Sequence, residues 1–259
     1  MYPYEIIFDL GLYEILLVLG FFGALLNFRF FADRVGFGAK YQNLCITSAL
    51  AALLGGYVSA VLFQAVYNAL ESGVWEVTET TGATFYGGLI GGAGVFLLVY
   101  FIVGRFLLAK RETLTNFRPL ANIAAGSIAV AHGLGRLGCL FAGCCHGAVT
   151  DAWYGVYHVY LGAKAVPVQL YEAIFLLALF GFLTVRLWKG KKYNMPIYLI
   201  TYAVWRFLAE FIRRDDRGAS IIDALTPSQF IAVVLLLVGV VWWLLELRAD
   251  RGEEQAHEA

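Results

Sequence analysis

Residues Leu44–Tyr67 read LCITSALAALLGGYVSAVLFQAVY, without a charged side chain from end to end. Crossing the hydrocarbon core of a bilayer takes roughly 20 apolar residues in helical form, and this segment is long enough. Six more stretches are long and predominantly apolar, though most carry one or two charges: Leu12–Phe31, Phe85–Val103, Leu120–Ala142, Val168–Leu187, Ile197–Ile212 and Phe230–Leu247. The apolar runs are continuous rather than alternating, so they read as helices and not as barrel strands. Composition agrees: the chain is 60% hydrophobic and 15% charged, where soluble domains carry about a quarter charged residues. Mean hydropathy is +0.71. The sequence thus predicts an all-α integral membrane protein with seven transmembrane helices.

Basic residues set the orientation. The first, third and fifth connections and the C-terminal tail hold thirteen of the 19 Lys and Arg. These are Arg29, Arg34 and Lys40; Arg105, Lys110, Arg111 and Arg118; Arg186, Lys189, Lys191 and Lys192; and Arg248 and Arg251. The other side has Lys164, Arg213, Arg214 and Arg217, together with the acidic connection NALESGVWEVTETTG, residues 68–82. An outside N-terminus and a cytoplasmic C-terminus follow, as an odd span count requires. The opening MYPYEIIFDLGLYE has no basic leader or small-residue cleavage site, so no removable signal peptide is expected. One membrane domain over residues 1–247 and a polar, disordered tail over 248–259 are expected. Net charge is zero, which gives no reason to expect a nucleic-acid partner.

Against this apolar background the stretch HGLGRLGCLFAGCCHG, His132–Gly147, gathers two imidazoles, a guanidinium and three thiols. A charge at membrane depth costs at least ~2.5–3.5 kcal/mol on insertion scales and asks for a reason. His132, Arg136, Cys139 and Gly143 follow i, i+4, i+7, i+11 and share one helix face. Arg206, Glu210 and Arg213 repeat the i, i+4, i+7 pattern. Both stripes approach the outer surface at their C-terminal ends, where they are expected to line a cavity. Arg206 with Glu210 also reads as a plain internal ion pair. Two arginines on different helices suit a lipid phosphate, because a guanidinium offers forked donors.

Two other segments bear on the site. FYGGLIGGAG, residues 85–94, places Gly87 with Gly91 and Gly88 with Gly92 four apart, the spacing of close helix packing. Tyr86 just before them is placed to present its hydroxyl to the cavity. VPVQLYEA, residues 166–173, puts Gln169, Tyr171 and Glu172 at an outer entrance; tyrosine there is usually an interfacial anchor, while Glu172 is suited to pair with an arginine. His158 and His257 read as exposed loop and tail residues.

Taken in order, these motifs resemble the prolipoprotein diacylglyceryl transferase family. FYGGLIGG is similar to that family's His-Gly-Gly-Leu-Ile-Gly segment, and GRLGCLFAGCCHG to its Gly-Arg-x-Gly-Asn-Phe-x-Asn-x-Glu-x-x-Gly signature. VPVQLYEA resembles its His-Pro-Ser-Gln-Leu-Tyr-Glu-Ala, WRFLAEFIR its Arg-Phe-x-x-Glu-x-x-Arg, and TPSQF the opening of its last helix. The resemblance covers nearly the whole chain. It implies seven spans in the bacterial cytoplasmic (inner) membrane and transfer of a diacylglyceryl group from phosphatidylglycerol to a lipoprotein-precursor thiol, or a related acceptor, with loss of glycerol phosphate. It implies no cofactor. By position, Arg136 and Arg206 match arginines that hold the phospholipid, Glu210 and Arg213 continue that stripe, and Gly147 matches the closing glycine. Tyr13, in LYEILLVLGF, resembles a functionally important tyrosine of the first helix.

The departures cluster. Where the family has signature asparagines this chain has Cys139 and Ala142, where it has the glutamate this chain has Cys144, and where it has the histidine this chain has Tyr86. Cys139, Cys144 and Cys145, with His132 and His146 nearby, also read as a soft-metal set, as a redox pair, as a nucleophilic thiol with His132 as its base, or as small buried hydrophobes. Lone Cys45 reads as the last of these. A metal-binding or thiol-redox membrane protein on the same fold is therefore the alternative function.

Overall fold

A computed structural model describes residues 5–7, 10–78, 81–213 and 225–258. Arg214 and Arg217, and the side chains of Tyr86 and His257, lie outside the described residues. By packing, the chain divides into two compact units, Met1–Phe31 with Pro119–Ala259, and Ala32–Arg118.

The first unit opens with a short antiparallel pair, β1 (Glu5–Ile7) and β2 (Leu10–Gly11), leading directly into α1 (Leu12–Val35), whose last turn belongs to the second unit. The second unit holds α2 (Ala39–Ser72), α3 (Phe85–Leu107) and the short α4 (Lys110–Thr115). The chain then returns to the first unit through α5 (Phe117–Ala142), β3 (Val156–His158), β4 (Ala163–Ala165), α6 (Val168–Trp188), α7 (Asn194–Ala209) and α8 (Pro227–Glu258). The expected helical membrane architecture is present: α1, α2, α3, α5, α6 and α8 contain six segments long and apolar enough to span a bilayer. Large apolar side chains stand exposed along them, including Phe106 at 82%, Leu70 at 80% and Leu54 at 74%. Surface of that kind on so many helices is what lipid, not water, covers.

Within the first unit the core is a three-helix seam. Ala121, Ala125 and Ala129 on α5 face Leu176, Leu179 and Leu183 on α6 and Met195, Tyr198 and Tyr202 on α7. The i, i+4, i+8 alanines keep α5 thin there, so larger neighbours can close on it. α1 approaches α5 equally closely. A Cβ on Gly20 would lie 3.1 Å from the Ala131 carbonyl, and one on Gly138 3.1 Å from the Tyr13 ring. In the second unit α2 and α3 run antiparallel across facing small residues. A Cβ on Gly91 would sit 2.2 Å from Ser59, and one on Gly87 2.6 Å from Phe63. The predicted small-residue packing is found.

Two boundaries differ from the sequence expectation. The sixth segment is helical only over Asn194–Ala209; Glu210–Ile212 form turns, and Arg213 enters a β-bridge with Gly147. Tertiary backbone pairing overrides the apolar Phe211–Ile212 continuation, with the Ala148 N–H donating to the Ile212 carbonyl at 3.4 Å. The C-terminal tail, expected to be disordered, instead continues α8 to Glu258. Its Arg, Ala, Glu and Gln residues are good helix formers. Asp250 also pairs with Lys192 at 3.1 Å and accepts a hydrogen bond from Tyr193. At its other end α8 starts in a capping box. The Gln229 N–H donates to Thr226 Oγ1 at 3.2 Å, and the Thr226 N–H donates to Gln229 Oε1 at 3.1 Å, with Pro227 in the first helical position.

Candidate active site

Every charged residue singled out in His132–Gly147, VPVQLYEA and WRFLAEFIR lies in the first unit. At the centre is Glu172 on α6, fully buried. Arg136 Nε on α5 stands 3.1 Å from Glu172 Oε1, so the expected pairing of Glu172 with an arginine is present. Tyr202 donates its hydroxyl to the same oxygen at 2.9 Å. His132, one turn before Arg136, places Nε2 3.9 Å from Glu172 Oε1 and Nδ1 3.2 Å from the Tyr198 hydroxyl. The second carboxylate oxygen, Oε2, hydrogen-bonds to no described residue.

Arg206, on α7, is 5% exposed. Its Nη2 lies 2.7 Å from Glu210 Oε2 and donates to Ser228 Oγ at 2.6 Å, so the ion-pair reading of these two residues holds. Its Nη1 is buried without a hydrogen-bond partner among the described residues. An unpaired buried guanidinium donor costs on the order of 1–3 kcal/mol, and such groups gather where something else is to be bound. Arg213 is not on the helical stripe that spacing predicted, because α7 has ended; its bridge to Gly147 joins the far ends of the two charged segments. That bridge explains Gly147. A Cβ there would stand 2.8 Å from Val168 and 2.9 Å from the Ile212 carbonyl.

The thiols occupy the turn after α5. The helix closes with the N–H groups of Gly143 and Cys144 both donating to the Cys139 carbonyl, at 3.1 and 3.2 Å, and with Gly143 in the left-handed region. Cys145 follows at φ 63°, a conformation costing a side-chain-bearing residue roughly 1–2 kcal/mol. The Sγ atoms of Cys139, Cys144 and Cys145 all lie within 4.8 Å of one another, and all three cysteines are free. Hydrogen bonds from Cys139 and Cys144, with the Arg213 and Arg136 cations beside it, hold the Cys145 thiol below the usual thiol range. Gln169, fully buried, donates Nε2 to the Cys144 carbonyl at 3.0 Å and fixes the turn from α6. Tyr13, packed against Gly138, is close enough to interact electrostatically with all three thiols.

His146 does not join the sulfur cluster. Its Nδ1 lies 2.9 Å from the Gly147 carbonyl, and its ring meets His158 edge-on at 5.0 Å. His158 is fully buried, not the exposed loop residue its surroundings suggested. Burial, and then His146, lower its pKa. Cys45 is buried in α2, as expected. Tyr171 packs beside Val166, Val168 and Ala209. Gly87 and Gly88 belong to the second unit, where they pack on Phe63, Ser59 and Ala60 of α2.

Sequence reading missed three partners. Tyr198 and Tyr202 precede Arg206 by eight and four residues, so one i+4 stripe runs Tyr198, Tyr202, Arg206, Glu210. That signal was present in the spacing. Ser228 lies inside the TPSQF segment, yet nothing in that segment announces that it receives a bond from Arg206.

Buried arginine, carboxylate, imidazole and tyrosine groups within a bundle of apolar helices define a polytopic membrane protein with an internal polar site of enzyme type. A family model described as prolipoprotein diacylglyceryl transferase matches residues 4–245. The chain is similar to phosphatidylglycerol–prolipoprotein diacylglyceryl transferase 2 of Clostridium perfringens, with 31% identity over 229 residues and 83% of each chain covered. It is also similar to the phosphatidylglycerol–prolipoprotein diacylglyceryl transferase of Clostridium tetani, with 30% identity over 210 residues, 76% of this chain and 77% of that one. The enzyme of that name in Chromohalobacter salexigens is 30% identical over 226 residues, 82% of this chain and 79% of that one. This chain belongs to the prolipoprotein diacylglyceryl transferase family.

Proposed function

We propose that the protein transfers the diacylglyceryl group of phosphatidylglycerol to a cysteine thiol of a lipoprotein precursor in the bacterial cytoplasmic membrane. The observation that carries this reading is the pair of buried arginines on separate helices, one of them with a guanidinium nitrogen that has no hydrogen-bond partner among the described residues. Arg206 and Arg136 hold the lipid phosphate, and Glu172 keeps Arg136 in place with help from Tyr202. Arg213 and Glu210 frame the same end of the site. His132, hydrogen-bonded to Tyr198, receives the proton of the acceptor thiol. The thiolate then attacks the terminal glycerol carbon of the diacylglyceryl group. A carbon–sulfur bond forms, the carbon–oxygen bond to phosphate breaks, and its electron pair leaves on the phosphate oxygen of glycerol phosphate. Positive charge fixed at that oxygen favours departure. Tyr13 completes the acceptor side, while Gln169 and Tyr171 frame the entrance.

In this reading α7 is a seventh crossing, the N-terminus faces outside, and the membrane domain of residues 1–247 precedes a cytoplasmic tail of residues 248–259. The test is a transfer assay on purified protein in liposomes containing labelled phosphatidylglycerol, supplied with a lipobox peptide or its Cys→Ser counterpart. Thiol-dependent transfer, lost in Arg206→Ala, is the expected result. Absence of transfer beside an active control transferase overturns the reading.

A further inference from the structure

Three sulfur atoms face one another where the family signature carries two amide or carboxylate positions, and the proposed transfer makes no use of them. We infer that Cys139, Cys144 and Cys145 hold a zinc ion whose fourth coordination position binds the acceptor thiol. The inference rests on the transfer reading for its substrate, but on the sulfur geometry for its site.

Zinc–sulfur bonds of ≈ 2.3 Å in a tetrahedral set place the sulfurs about 3.8 Å apart. The three Sγ atoms are already within 4.8 Å of one another, so rotamer adjustments of about an ångström or less complete the cradle. Thiolate ligands select zinc or copper(I) over harder ions. The turn is built to keep the sulfurs together. The left-handed backbone at Gly143 and Cys145 folds the chain back on the end of α5. The Gln169 side chain ties down the Cys144 carbonyl, and the Gly147 N–H donates to the Val166 carbonyl at 2.8 Å. Such a supporting shell is what fixes metal ligands in place. Charge also favours the ion: three thiolates and Zn²⁺ sum to one negative charge, with the Arg213 cation beside Cys145 while Arg136 is paired with Glu172.

Three protein ligands leave one position open, the mark of catalytic rather than structural zinc. Cys144 is the exposed member of the set, so the open position is within reach of an incoming chain. A thiol bound there loses its proton to the base and stays on the metal as thiolate, the attacking form. The bond changes of the transfer are unaltered: sulfur bonds to carbon, and the phosphate oxygen leaves with the electron pair. The proton released at coordination is carried by His132 and then passes to glycerol phosphate or to water.

The test uses the full chain in detergent, reduced, stripped with chelator, exposed to zinc or cobalt(II) and desalted. One zinc per chain is expected, with none retained by the Cys139→Ser/Cys144→Ser/Cys145→Ser variant. The cobalt form of the wild type should show thiolate charge-transfer bands and tetrahedral d–d bands. A lipobox peptide should shift the d–d bands, and its Cys→Ser counterpart should not. Because metal retention and spectra are read on the wild type, a poorly folding variant does not blunt the test. Wild-type protein that retains no zinc, holds copper(I) but not zinc, or forms a Cys139–Cys144 or Cys139–Cys145 disulfide under these conditions overturns the site. An identical response to both peptides overturns the open position. Full transfer activity in metal-free protein overturns the zinc assignment and leaves the transferase reading standing. Zinc binding with the expected spectra but no transfer from phosphatidylglycerol does the reverse.

Discussion

Arg136 and Glu172 show how a single residue pair ties stability to chemistry. Glu172 is fully buried, so removing its cation leaves an uncompensated charge, at a cost of about 3–5 kcal/mol. Arg136→Ala should therefore both lower the melting temperature in detergent and abolish transfer. Replacing both partners, as in Arg136→Met with Glu172→Leu, should recover most of the melting temperature and none of the activity. Recovered activity in that double variant would show that the guanidinium does not hold the phosphate. His158 gives a second prediction. Its pKa is lowered by burial and by His146, so the unfolded chain takes up the proton before the folded one does. The neutral ring's contribution is complete above the unfolded value of about 6.5 and is lost as pH falls below it. Melting temperature should drop between pH ~7.5 and ~5.5, and by less in His158→Gln; equal drops would contradict the assignment. The arginines were legible in the sequence because a charge at membrane depth needs a reason. His158 was not, because the ring it meets, His146, is brought there only by the folded turn.

The elements were legible where one-dimensional signals dominate. Long, predominantly apolar runs marked α1, α2, α3, α5, α6 and α8, and four-residue glycine spacing marked the face of α3 that meets α2. That face yields a direct prediction. A methyl at Gly91 would overlap Ser59 at 2.2 Å, a contact with the Cβ as well as the hydroxyl, so no rotamer relieves it. Gly91→Ala should destabilise by roughly 1–3 kcal/mol, and Ser59→Gly in the same chain should restore most of the loss. Without that rescue, α2 and α3 do not meet through Ser59 and Gly91. Sequence did not mark the end of α7, since Phe211 and Ile212 continue an apolar run that should favour helix at membrane depth. The stop comes from outside the helix, where Gly147 and Ala148 pair with the chain at Ile212–Arg213. Neither segment contains that information alone.

At the scale of the whole molecule the open question is parity, and α7 decides it. Six helices among the described residues have the length and hydropathy to cross a bilayer, and six crossings would return the C-terminus to the side of the N-terminus. At 16 residues α7 rises about 24 Å, short of a hydrocarbon core of ≈ 30 Å. The Glu210–Ile212 turns and the bridge at Arg213 extend its reach with backbone bonds made: the N–H groups of Phe211, Ile212 and Arg213 donate to the carbonyls of Leu208, Ala209 and Glu210, and the Ile212 carbonyl accepts from Ala148. Unsatisfied peptide groups are what lipid forbids, and this extension leaves fewer of them. The basic residues favour the same answer, because Arg248 and Arg251 follow the last apolar run as Lys189, Lys191 and Lys192 follow α6. Both should therefore face the cytoplasm, with α7 and α8 crossing between them. Alkaline phosphatase fused after Ala259 should be inactive in a bacterial host, and a fluorescent protein at the same point should be bright. Fusion of the phosphatase after Ser72, in the acidic connection, should be active. An active phosphatase at Ala259 would reduce the crossings to six and place the Lys189–Lys192 and Arg248–Arg251 clusters on opposite sides. It would also remove the outward-opening site from the proposed function, because Arg206 would no longer sit on a helix that traverses the membrane.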